Sequence, residues 1–84
     1  MECWIGVVTE GDRRRVRVAG RLKVSHVAEL LIACADASQL QIDLNDLVSA
    51  DAAALDALRR LREMGATLVR VPGYIHLKLD APSG

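Results

Sequence analysis

Two short stretches of strict two-residue alternation constrain what this chain can become. Arg15-Val16-Arg17-Val18 places two valines on one face of an extended segment and two arginines on the other. Leu40-Gln41-Ile42-Asp43-Leu44 repeats the pattern, with positions 40, 42 and 44 on the apolar side. Between them, Val27, Leu30, Leu31 and Cys34 recur at helical spacing. After them, residues 52–64 have high helix propensity, with Leu55, Leu58 and Leu61 along one side and charges on the other. A chain whose apolar period switches from extended to helical and back builds an α/β layer.

The remaining segments extend this reading. Cys3 to Thr9 is β-prone, Glu10-Gly11-Asp12 offers a turn, and the second strand closes at Leu22, giving an N-terminal hairpin. Ser25 is the expected N-cap of a first helix running to about Ala37. Residues 40–44 form the third strand, and Asn45 to Ala50 reads as a loop. Asp51 opens the second helix, Gly65 ends it, and Thr67 to Val71 is the fourth strand. Pro72 and Gly73 then break the chain. Residues 74–80 fit strand or helix, and a proline at a helix start favours helix.

The expected architecture is a small mixed sheet of about four strands, a hairpin followed by β-α-β-α-β, with parallel crossovers and helices on one face. Arg15, Arg17, Gln41 and Asp43 are expected on the opposite, exposed face. Eighty-four residues make one domain, 1–84.

Composition excludes several functions. Phenylalanine is absent and Trp4 and Tyr74 are the two aromatic residues, so a platform for stacking bases is missing. Eleven basic residues balance eleven acidic ones, which removes long-range attraction to a phosphate backbone, so no nucleic-acid partner is expected. Two histidines and two cysteines are too few for a structural zinc site, and Cys3 and Cys34 read as free thiols of a reducing compartment. Asp43 and Asp46 lack a third ligand for a hard cation, so no metal or cofactor is expected. The N-terminus lacks a basic leader and the longest apolar run, Leu30 to Ala35, is six residues. A membrane span needs about 20. The expectation is a cytoplasmic protein without membrane insertion. No nucleophile, base and electrophile can be argued together, so an enzyme is not expected.

Several stretches, in order and spacing, resemble the STAS domain, named for sulphate transporters and anti-sigma factor antagonists. V-R-V-A-G-R-L (16–22) looks like the strand that leads to its first helix. I-D-L-N-D-L-V-S-A-D-A-A-A-L (42–55) is similar to its central signature, in which a strand ending in aspartate leads to Asp-Ser-Ser-Gly-Leu at the start of the second helix. G-A-T-L-V-R-V (65–71) resembles the following turn and strand, and P-G-Y-I-H-L-K-L the tail of short bacterial members. In that family the second serine of the signature is phosphorylated by an anti-sigma kinase, and the unphosphorylated form binds the kinase and frees the sigma factor. Here Asp51 matches the aspartate, Ala52 the first serine, Ala53 the phosphoacceptor and Ala54 the glycine. Ala53 has no hydroxyl, and phosphoryl transfer needs an oxygen nucleophile.

The resemblance therefore implies a non-catalytic regulatory module that meets a protein partner through Asn45, Asp46, Ser49, Asp51, Ala52 and Ala53. The partner would be anti-sigma kinase-like. Two alternatives stay open: a soluble STAS subunit beside the ATPase of a membrane ABC transporter, or a domain binding a nucleotide or small ligand through its basic hairpin. A homodimer is also left open. Arg13, Arg14, Arg15, Arg17, Arg21 and Lys23 make that hairpin basic, and arginines on an outer hairpin are expected chiefly to shield a sheet edge from further pairing.

Overall fold

The computed structural model describes residues 3–35 and 39–80. The elements run β1 (Trp4–Glu10), β2 (Arg13–Leu22), α1 (Val24–Ala33), β3 (Gln39–Asp43), β4 (Leu47–Ala50), α2 (Ala52–Glu63), β5 (Thr67–Val69) and α3 (Gly73–Asp80). β1 pairs antiparallel with β2, and β3 and β5 continue the sheet in parallel, so the order is β1-β2-β3-β5. The expected crossovers and the helical reading of the last segment both hold.

Val16, Val18, Leu22 and Ile42 point from the sheet into the core and are almost fully buried. Leu30 of α1, Leu55, Leu58 and Leu61 of α2, and Ile75 and Leu79 of α3 close over that side. The strict alternation of β2 thus does what period-2 patterning predicts, one face dry and one wet. α2 ends in a Schellman turn. Ala66 N–H donates to Leu61 C=O and Gly65 N–H to Arg62 C=O, at 3.0 and 3.1 Å. Gly65 takes φ 109°, a conformation that a side chain would strain.

The structure corrects the sequence reading in five places. First, the segment expected as a loop from Asn45 to Ala50 contains β4, which brings the expected sheet of about four strands to five. β2 runs on past Gly20 and pairs parallel with β4 through Gly20–Leu47, Arg21–Ser49 and Leu22–Ala50, with a register shift after Gly20. Leu47 and Ala50 are buried, so the extra strand seals the core beneath α2.

Second, Ser25 is not the N-cap of α1. Lys23 occupies that position, and the helix starts at Val24. The capping is supplied from elsewhere: Lys23 N–H donates to His26 Nδ1 at 3.2 Å and Val24 N–H to Asp51 Oδ2 at 2.8 Å. The described part of this helix ends at Ala33, and Ala37 lies outside the described residues.

Third, Leu31 is not in the buried stripe. With Ile32 and Val24 it stays exposed, because α1 lies between α2 and β1 and its remaining side faces outward. Fourth, Asp43 does not lie in solvent. It shares the open face with Arg17, its register partner, but is 2% exposed because Arg70 and the Asn45 amide close on its carboxylate.

Fifth, the arginines of β2 do not shield an edge. β2 is interior, with β1 on one side and β3 and β4 on the other.

Candidate functional site

The start of α2 is built around one carboxylate. Asp51 is extended, at φ −78° and ψ 178°, as an N-cap must be. Its Oδ1 accepts the Ala54 N–H at 2.9 Å and its Oδ2 accepts the Val24 N–H at 2.8 Å. One side chain therefore satisfies an otherwise orphaned donor at the start of two helices and ties those starts together. The Ala54 amide, then the Val24 amide, hold the carboxyl below its ordinary value; Lys23 and His26 act in the same direction and slight desolvation opposes them. The backbone of Asp51 is pinned as well, its N–H donating to Leu22 C=O at 3.1 Å.

Held this way, the first turn presents Ala52 and Ala53 to solvent, while Ala54 turns into the core. Val24, joined to the same carboxylate through its amide, adds an exposed isopropyl group from α1. Small apolar side chains beside two positive helix ends form a surface of fixed shape with no hydroxyl at position 53.

The other expected residues divide. Ser49 is half-buried in β4, paired in register with Arg21, and leads directly to Asp51. Asn45 and Asp46 sit before β4, whose four residues separate Asp46 from Asp51 by about 16 Å of extended chain. They belong to a different construction. Arg17 donates to Asp46 at 3.1 Å, Asn45 Nδ2 to Asp46 at 3.2 Å, Asn45 N–H to Asp43 at 3.0 Å, and Arg70 to Asp43 at 2.8 Å. The structure thus places Asp51, Ala52 and Ala53 together, with Ser49 beside them, and leaves Asn45 and Asp46 in an ionic chain across the end of the sheet.

Three contributors were not legible from sequence. Arg70 sits at φ 52°, a left-handed conformation uncommon for a residue with a side chain, and uses it to reach Asp43. No local signature announces that. Tyr74 donates its hydroxyl to the carbonyls of Leu47 and Val48, fastening α3 to β4. As the lone tyrosine after a Pro-Gly break it was visible, but its target was not. Arg59, from the charged side of α2, donates to the carbonyls of Leu79 and Lys78 and caps α3.

Cys3 and Cys34 are free thiols. Burial pushes Cys34 up to about 11, with Arg14 opposing. Among the described residues no group of three or more His, Cys, Asp or Glu side chains could hold a metal ion. Among the same residues no helix is long and apolar enough to cross a membrane.

A mixed five-stranded sheet with its three helices on one side, and a helix start organised by an aspartate at the end of a β-strand, together define a STAS-type fold. The comparison with solved structures agrees. The antisigma-factor antagonist STAS domain from Rhodobacter sphaeroides superposes with a TM-score of 0.59 at 20% identity, over 95% of this chain and 92% of that one. A second structure, described as Mglu, matches with a TM-score of 0.60 at 20% identity over 80% of this chain. The match spans 20% of the Mglu chain, so there the fold is one part of a longer protein. No family model matches the sequence, and no curated protein is significantly similar to it.

Proposed function

We propose that the chain is a non-catalytic regulatory module that binds a protein partner through the start of α2. The partner is anti-sigma kinase-like, and control by phosphorylation at position 53 has been lost. The observation that carries the reading is the Asp51 carboxylate. It fixes two helix starts at once and leaves Ala52 and Ala53 facing solvent in a preset geometry. Proteins pay ordering entropy on association, and a surface already locked by backbone hydrogen bonds loses less of it. Asp51, Ala52, Ala53 and the neighbouring Val24 form the contact, with Ser49 at its border. Asn45 and Asp46 act at one remove, by holding the chain that leads into β4.

Likeness in fold to an antisigma-factor antagonist supports the regulatory reading. The neutral net charge suits a protein partner and disfavours a polyanionic one such as nucleic acid. Phosphate analysis of the protein isolated from its own cells tests the lost control. The intact mass is expected to carry no phosphate, and phosphate on Ser49 or any other residue would refute that part of the proposal.

A further inference from the structure

The arginine row of β2 does not protect a sheet edge where the fold puts it. Residues that blunt a sheet edge belong on an edge strand. β2 instead has neighbours on both sides, and its arginines rise from the middle of the open face. Arg13, Arg15 and Arg17 share that face at intervals of about 6.7 Å along the strand. Their neighbours in register are Glu10, Val8 and Gly6 on β1 and Gln39, Gln41 and Asp43 on β3.

The flanking arginines are engaged: Arg13 donates to Gln39 at 3.1 Å and Arg17 pairs with Asp46 at 3.1 Å. Arg15, between them, makes no hydrogen bond or ion pair among the described residues, although Gln41 stands next to it on β3 and Thr67 one strand further on, on β5. A shallow groove opens over this position. Arg13, Arg15 and Arg17 line it beside the carboxylate of Glu10, whereas the guanidinium of Arg14 is spent on the other side of the sheet, on the carbonyls of Ala33 and Ala35. Like charges repel, and each neighbouring pair in the row, about 6.7 Å apart along the strand, lies within about one screening length at physiological salt, about 8 Å.

We propose that this groove binds a small multivalent anion carrying phosphate or carboxylate groups, with Arg15 as its central ligand. The guanidinium fork matches either oxyanion in bidentate fashion. Gln41 and Thr67 supply neutral hydrogen-bonding groups on the same face. The site lies on the sheet face opposite the helices, so it is independent of the contact surface at α2.

Titration of the full chain with pyrophosphate and with citrate, followed by amide NMR shifts, tests the assignment. Saturable binding is expected, with shifts confined to β1, β2, β3 and β5. The tighter of the two anions identifies the charged group that the natural ligand carries. Arg15→Gln is expected to weaken binding about tenfold, the loss of one charge-assisted contact. Arg60→Gln, which makes the same charge change on the exposed side of α2, is expected to leave it unchanged. The proposal is overturned if neither anion saturates at millimolar concentrations, if Arg60→Gln loses as much affinity as Arg15→Gln, or if the shifts centre on residues 51–54.

Discussion

The start of α2 and the open face of the sheet handle charge in opposite ways. At α2 the single carboxylate is saturated by backbone amides, and the side chains left facing solvent are small and apolar. On the sheet, arginines crowd one strand and the middle one has no partner among the described residues. The first surface is specified by shape, which is what a protein partner reads. The second is specified by unspent charge, which suits a small anion. Two surfaces of different kind therefore sit on opposite layers of the fold, each matched to the ligand proposed for it.

The ion pair that borders the open face should give the largest change. Arg70→Ala leaves the Asp43 carboxylate buried with only the Asn45 amide beside it. Removing one partner of a fully buried pair costs 3–5 kcal/mol; solvent around the exposed Arg70 reduces the expected loss to about 2 kcal/mol, read from urea unfolding. Arg70→Gly removes the same pair but relaxes the left-handed backbone, and should lose about 1 kcal/mol less. Equal losses would show that the φ of Arg70 stores no strain.

Asp51→Ala should come next, lowering Tm by several degrees, because it uncaps two helices rather than one. Its pH dependence has a definite sign. A carboxyl held below its ordinary value stabilises the fold above that value, and the contribution disappears as pH falls through the folded one. The Tm gap between the wild type and Asp51→Asn should therefore close on acidification below the ordinary carboxylate range. A gap that persists in acid would mean that capping geometry, not charge, is what Asp51 supplies.

Ala53→Ser should cost about 0.5 kcal/mol or less, since the position is exposed and serine is the weaker helix former. It restores the hydroxyl without disturbing the surface. Incubated with a kinase that recognises the surface, this variant should take up phosphate where the wild type does not. The smallest effect concerns Cys34. Held near 11 and buried, it should resist alkylation at neutral pH in the native protein, with Cys3 labelled first.

Much of the fold was legible because its signals were periodic. The alternation in 15–18 and 40–44 and the leucines of α2 each predicted a buried face, and Gly65 marked a helix end. What escaped depends on contacts between distant segments. β4 was hidden because Leu47 to Ala50 is four residues long and gains its partners only when β2 continues past Gly20. The cap of α1 was misassigned to Ser25 because its acceptors are Asp51, far along the chain, and His26, inside the helix. Asp43 obeyed the alternation, yet Arg70 buried it. At the site, Asp51 was legible as a helix start, but its second bond and the exposure of Val24 were not. The arginine row was visible from the outset, and only strand order revealed that it lies away from an edge.

The most direct test of the central claim compares two exposed substitutions in partner capture from the native cell. Ala53→Glu places bulk and charge on the α2 surface, where a carboxylate near a helix start is tolerated. Leu77→Glu makes a comparable change on the exposed side of α3. Quantitative mass spectrometry of the captured proteins should find a partner that is retained by the wild type and by Leu77→Glu and lost by Ala53→Glu. If Ala53→Glu retains every partner of the wild type, the start of α2 is not the contact surface.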